Sequence, residues 1–173
     1  MLLPRTIAPA LRCKTLRHGT FDLSRDAPVG GTYVFFHRGR HCKWTRLALK
    51  DLDDRIGDFA IRGLRVVAVS VDGGEAVHRL QEEMQLIRLP LGHSLDAESV
   101  ARDWGLYLTR NSTEDQAPPV HWEPAQAWVK ADNTLGALSV QTAPNLWPDI
   151  TQALRGIEDT MNKYPERGSA LPG

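Results

Sequence analysis

Cys42 stands among cationic residues, with His37, Arg38, Arg40, His41, Lys43 and Arg46 all within a few positions of it. A thiol does nucleophilic and redox work as its thiolate, and positive neighbours favour that form. The residues before it, Tyr33-Val34-Phe35-Phe36, are aromatic and β-branched and read as a buried strand. Those after it carry an apolar helical period. Cys42 therefore falls at a strand-to-helix junction, where unpaired backbone N–H groups and the helix dipole favour an anion. Thr45, one helical turn on, brings a hydroxyl that could donate to the thiolate and hold it in its charged form. Gly39 punctuates the basic turn, and Trp44 could shield the thiol or pack at an interface between two copies.

The rest of the chain must hold that junction in place. Its 173 residues suffice for one well-cored domain. Lys plus Arg and Asp plus Glu number 21 each, so the basic cluster is local and no global charge draws the chain to nucleic acid or an anionic membrane. No apolar run approaches a membrane span, and the N-terminus lacks the apolar core of a signal peptide. Two cysteines make no disulfide scaffold, and no Cys-x-x-Cys pair completes a four-ligand zinc set, so neither a metal nor a cofactor is called for. Sparse cysteines suit a reducing compartment, and the expectation is a cytoplasmic protein.

Residues 1–10 read as an extended leader, 11–163 as the domain and 164–173 as a tail. Leu11–Lys14 and Thr20–Leu23 form an expected hairpin around His18-Gly19, with Cys13 a half-buried packing residue on its first strand. The helix after Cys42 has an apolar face of Thr45, Leu49, Leu52, Ile56, Phe59 and Ala60, capped by Gly63. Leu64–Val71 is nearly continuous apolar sequence, a strand covered on both faces. A helix follows Gly73-Gly74, so Tyr33–Val71 makes a β-α-β unit. Arg88–Leu91 reads as an edge strand because Pro90 cannot donate to a ladder. Asp96 and Gly105 bracket another helix, and 109–123 is a long polar loop suited to a lid. An antiparallel hairpin (Ala125–Ala131, Leu135–Val140) and a last helix, capped by Asn145 with Trp147, Ile150, Leu154, Ile157 and Met161 on its face, complete the order.

That order, with a cysteine opening the first long helix, resembles the thioredoxin fold, and more narrowly the alkyl hydroperoxide reductase/thiol-specific antioxidant (peroxiredoxin-like) family. Phe35-Phe36-His37-Arg38-Gly39-Arg40-His41-Cys42 is similar to the Phe-Tyr-Arg-Gly-x-Trp-Cys run of many bacterial members. Val67–Asp72 is similar to the family's Val-Ala-Ile-Ser-x-Asp strand end, and Leu89-Pro90-Leu91 to its extended piece before the third helix. Pro124-Ala125 resembles the proline, cis in thioredoxins, that faces the active cysteine. The resemblance spans residues 10–162 in element order. It implies a thioredoxin-like three-layer α/β sandwich, with a mixed central sheet, helices on both faces and an N-terminal β-hairpin.

The departures are specific. Where bacterial relatives have Cys-Pro-Tyr-Cys, this chain has Cys42-Lys43-Trp44-Thr45, without a resolving thiol. In the peroxiredoxin pattern Pro-x-x-x-Thr-x-x-Cys, Phe35 replaces the proline and Gly39 the threonine. The family's strand arginine is absent from Trp122, Glu123 and Gln126, leaving Arg38 or Arg40 to substitute. Three readings follow. One is a one-cysteine thiol peroxidase, with Cys42 attacking peroxide, Arg38 or Arg40 and Thr45 assisting, and an external thiol or a thioredoxin- or glutaredoxin-type reductant restoring it. A second is a monothiol exchanger acting on disulfides through glutathione, with Gly39, His41, Trp44 and Pro124 meeting the partner. The third is a non-catalytic, redox-sensing or binding scaffold. Dimerisation is expected from the resemblance.

Overall fold

The computed structural model describes residues 1–146 and 149–172. Its strands are β1 (Arg12–Thr15), β2 (Thr20–Asp22), β3 (Gly31–Phe36), β4 (Leu64–Val69), β5 (Leu91–His93), β6 (Leu108–Arg110), β7 (Val120–Trp122), β8 (Ala125–Val129) and β9 (Leu135–Val140). Its helices are α1 (Lys43–Asp54), α2 (Ile56–Ile61), α3 (Gly74–Met84), α4 (Ala97–Trp104) and α5 (Ile150–Asn162). Seven strands form one mixed sheet in the order β2-β1-β5-β4-β3-β8-β9, and β6 and β7 form a separate ribbon. β3, β4 and β5 run parallel, while β1, β8 and β9 join antiparallel.

Alternation along the strands divides the core into two layers. Tyr33, Phe35, Val66, Ala68 and Trp128 face α1, α2, α3 and α5, against Leu49, Leu52, Phe59, Leu80 and Leu154. Val34, Phe36, Val67, Val69 and Ala127 face the other way, onto Trp104 of α4 and Trp122 of β7. Phe36 packs its ring 5.0 Å from Trp104 and 6.1 Å from Trp122, centroid to centroid. Such aromatic pairs add about 0.5–1.5 kcal/mol each beyond the area they bury. Every residue of β3 is buried, so the strand that delivers the Cys42 loop is locked from both sides. The three-layer α/β expectation holds.

The expected long helix breaks at Arg55, whose backbone (φ −106°, ψ 12°) separates α1 from α2. Thr45, Leu49, Leu52 and Phe59 of the expected face stay buried across the break, whereas Ala60 is exposed, and sequence periodicity is blind to such a slip. β5 is interior rather than an edge, lying between β1 and β4. Pro90 precedes it, so no ladder donor is lost, and its carbonyl accepts from Ala68 N–H at 3.0 Å. Buried Asp53 of α1 accepts from the backbone N–H groups of Ile87, Arg88 and Leu89 and fixes the turn into β5. Both ends of the polar stretch 109–123 are strand, paired as the β6–β7 ribbon, and residues 111–119 form the long turn between them. Asp149, not Asn145, caps α5, its side chain accepting from Gln152 N–H. Trp147 lies outside the described residues. Residues 5–8 pair with the β8–β9 turn, and Glu166 of the C-terminal segment meets Lys130 and Arg5. Among the described residues, no helix is long and apolar enough to cross a membrane.

Candidate active site

β3 ends at Phe36, and the chain continues its alternation for two residues. His37 N–H bonds Val69 O at 3.0 Å, extending the parallel ladder. The His37 ring goes to the α1 side, where it is fully buried. Burial presses its pKa down to about 3, with help from His41, so the ring is neutral. Arg38 turns instead toward the ribbon. Gly39 then takes φ +115°, a conformation that L side chains rarely adopt. A Cβ there would lie 2.7 Å from an oxygen of Asp72, whose other oxygen accepts from Arg40 N–H at 2.7 Å. Two features of the turn thus require glycine: its backbone, and the buried carboxyl that fills the side-chain space.

Cys42 is the N-cap of α1, extended at φ −86° and ψ 115°, and 4% exposed. Its carbonyl accepts from Arg46 N–H at 3.1 Å, opening the helix. The Arg38 guanidinium, itself 5% exposed, lies beside Cys42 in the lining of the same cavity and interacts with it electrostatically. It also holds Glu114 in a two-pronged contact (3.0 and 2.5 Å), and its Nε lies 3.1 Å from Glu123 Oε2, a close charge pair without hydrogen-bond alignment. Burial by itself would lower the Arg38 pKa. The hydrogen bonds to Glu114, the neighbouring Cys42 and the charge of Glu123 more than offset that, so the group sits above its ordinary value and stays cationic.

His121 of β7 completes this shell. Its Nε2 lies 3.3 Å from Arg38 Nη2 and its Nδ1 3.3 Å from Pro118 O. Arginine can only donate and a carbonyl only accept, so Nε2 is the bare nitrogen and Nδ1 carries the proton. Thr109 donates to Glu123 Oε1 at 2.5 Å, fixing that carboxylate in turn. His41 packs edge-on to His121 at 4.8 Å and approaches Glu114 at 3.4 Å. Burial, His121 and Arg38 lower its pKa to about 4. His41, Glu114 and His121 bring ligand atoms within 4.8 Å of one another. Arg38 already uses Glu114 and His121 Nε2, so this donor set serves an organic cation.

The expected site residues separate accordingly. Cys42, Arg38 and His41 line one cavity. Arg40 is spent elsewhere, on Glu83 (2.5 Å) and Gln116 (2.6 Å). Thr45 is fully buried, but its hydroxyl has no hydrogen-bond partner among the described residues, so it does not donate to Cys42 here. Pro124 is trans and does not line the cavity beside Cys42. Trp44, half exposed, does line it, with the Lys43 ammonium 5.0 Å over its ring. That cavity, about 490 Å³, is bounded by Arg38, Cys42, Lys43, Trp44, Glu114 and Pro144 among others. Cys13 lies on β1, three strands from β3. At ~4.8 Å per strand that is about 14 Å, twice the ~7 Å a disulfide spans. Burial also raises its pKa to about 11, and both cysteines are free. Sequence reading did not single out Glu114 or Glu123 as partners of Arg38. Glu123 had one signal, its place directly before the expected proline, and Glu114, well upstream in the polar loop, had none.

The AhpC/TSA family model matches residues 4–131. No curated protein sequence matches this chain. Among solved structures, a cysteine-to-serine mutant of Arenicola marina peroxiredoxin 6 superposes with a TM-score of 0.75 at 15% identity, over 93% of this chain and 74% of that one. Peroxidoxin BcpB of Mycobacterium tuberculosis gives 0.70 at 15% identity, over 91% and 97%. A yeast mitochondrial 1-Cys peroxiredoxin, studied for its thiol-resolving mechanism via glutathione and thioredoxin systems, gives 0.71 at 13% identity, over 93% and 77%. At these identities the superpositions establish a shared thioredoxin-like fold.

Proposed function

Since the chain belongs to the AhpC/TSA family, we propose that it is a peroxiredoxin-type thiol peroxidase working through one cysteine, Cys42. The observation that carries this is the placement of a buried, permanently charged Arg38 beside Cys42 in the lining of one cavity. The family draws its guanidinium from the strand near Pro124. This chain exchanges the roles: the Cys42 loop supplies the arginine, and the strand side supplies its acceptors, His121 and Glu123.

In the first half-reaction the Cys42 thiolate attacks the outer oxygen of R–O–OH. The S–O bond forms as the O–O bond breaks, sulfur is oxidised to Cys42–SOH, and the leaving RO⁻ takes a proton from water. Arg38, buried beside Cys42, stabilises the thiolate and the negative charge developing on the peroxide oxygens. An external thiol then reduces the sulfenic acid. Cys13 is too distant and too buried to serve. The monothiol-exchanger reading loses support because Pro124, its expected partner-pairing edge, is buried and does not line the cavity beside Cys42.

The test is peroxide consumption coupled to a small thiol, compared across wild type, Cys42→Ser and Cys13→Ser. Loss only in Cys42→Ser supports the reading. Retained consumption in Cys42→Ser contradicts it.

A further inference from the structure

Helix α5 does not close completely on the sheet. Between it and β8–β9 lies a cavity of about 300 Å³ that shares no lining residue with the one beside Cys42. Small residues keep it open. Ala153 lies on the α5 side, and Ala137 of β9 stays exposed. Gly156 adds to the space. A glycine inside a helix weakens that helix, and a Cβ at Gly156 would meet nothing within 4 Å, so no neighbour in the fold requires a glycine there. Gly136 differs, because a Cβ there would run into the Trp128 ring. The indole rests against the Gly136 backbone, its Nε1–H donates to Gly30 O at 2.8 Å, and it forms a fixed apolar wall of the cavity. Two polar groups of the lining lack partners among the described residues. Tyr33 is 2% exposed, and its hydroxyl has no hydrogen-bond partner. Buried hydroxyls left so are uncommon and costly. Arg167, exposed on the segment after α5, stands 5.2 Å over the Tyr164 ring and has no carboxylate within ion-pair distance.

We propose that this cavity binds a small aromatic carboxylate carrying a second polar group, with its ring against Trp128, its carboxylate on Arg167 and its second group paired with the Tyr33 hydroxyl. A volume of about 300 Å³ is at the small end of ligand sites and suits one or two fused rings. A flat ring matches the indole wall, since aromatic pairs gain beyond the area they bury. The guanidinium of Arg167 can take a carboxylate in a two-pronged grip, and its exposure places it at the mouth. Tyr33, deep in the lining, can donate or accept, so a phenol or a carbonyl satisfies it equally. A ligand held at both ends would tie α5 to the sheet and stabilise the fold by mass action. Binding here needs neither thiol nor peroxide, so the site stands apart from the peroxidase reading.

The probe is 6-hydroxy-2-naphthoate, a fluorescent two-ring acid, titrated against the full chain at neutral pH. Two relatives separate its groups: 2-naphthoate lacks the hydroxyl, and 6-hydroxy-2-naphthamide lacks the charge. The hydroxy acid should bind saturably and roughly tenfold or more tighter than either relative. Arg167→Gln should level the acid with the amide, and Tyr33→Phe should level the hydroxy acid with the plain acid. Gly156→Leu should fill the cavity and remove binding, while the unfolding temperature holds or rises because leucine is the better helix former. Cys42→Ser should bind as wild type does. No saturable binding to wild type, binding that Gly156→Leu leaves intact, or equal affinity for acid and amide in wild type overturns the proposal. If Gly156→Leu does not fold, the exposed substitution Arg167→Gln decides alone, and an acid-to-amide ratio that it leaves unchanged overturns the site.

Discussion

Arg38 and Glu123 form a buried ion pair, Nε to Oε2 at 3.1 Å, that ties the loop after β3 to the chain just beyond β7. Through it the orientation of the guanidinium on Cys42 depends on a residue far away in sequence. Removing Arg38 would leave Glu123 buried without its counter-charge, held only by the Thr109 hydroxyl, with Glu114 released. Arg38→Ala should therefore lower stability by about 3–5 kcal/mol, as broken buried pairs do. Arg38→Lys keeps the charge, but its single ammonium cannot serve Cys42, Glu114 and Glu123 together. Its peroxide rate should fall roughly 10²-fold or more, the size of losing one preorganised donor. Denaturant unfolding checks the first outcome and stopped-flow oxidation the second.

Gly39 occupies the family's threonine position, and restoring threonine there should do harm. A side chain at φ +115° is strained, and its Cβ would meet the Asp72 carboxyl at 2.7 Å. Gly39→Thr should cost about 1–3 kcal/mol from the backbone alone. It should also slow Cys42 alkylation by displacing the loop. A variant as stable and reactive as wild type would show that the turn is not fixed by Asp72.

Acid should weaken the fold through two buried imidazoles. The folded pKa values of His37 (about 3) and His41 (about 4) lie below the unfolded value near ~6.5. Between those limits the unfolded chain binds more protons, so stability rises with pH. The stabilisation is complete above the unfolded pKa and is lost progressively as pH falls toward the folded values. Urea midpoints measured at pH ~7.5 and ~5 should fall, and His37→Phe should shrink the difference.

Cys13 should be a spectator. Its thiol is packed against Gly92, and burial raises its pKa to about 11. Cys13→Ser should leave the Cys42 oxidation rate unchanged, and peroxide-treated wild type should contain no Cys13–Cys42 disulfide by peptide mass mapping.

Most of the scaffold was legible because its signals are local. The apolar run of β4, the Asp96 cap of α4 and the period of α1 each state their structure within a few residues. Cys42 was legible for the same reason, as a cysteine at a strand-to-helix junction amid cations. What remained hidden depends on partners distant in sequence. Nothing near Arg38 says that Glu123 and His121 will meet it, whereas Arg40, equally basic, is drawn off by Glu83 and Gln116. Pro90 suggested an edge because sequence cannot tell a residue inside a strand from the one just before it. The polar 109–123 stretch hid a ribbon, since its deeply buried anchors, His121, Trp122 and Glu123, all sit at the far end and two of them are polar.

The most direct test is a brief hydrogen peroxide pulse on Cys13→Ser protein, with sulfenic acid trapped and located by mass spectrometry. The account predicts rapid modification confined to Cys42, greatly slowed in Arg38→Lys. A Cys42 that stays reduced under that pulse while the protein is folded would contradict it.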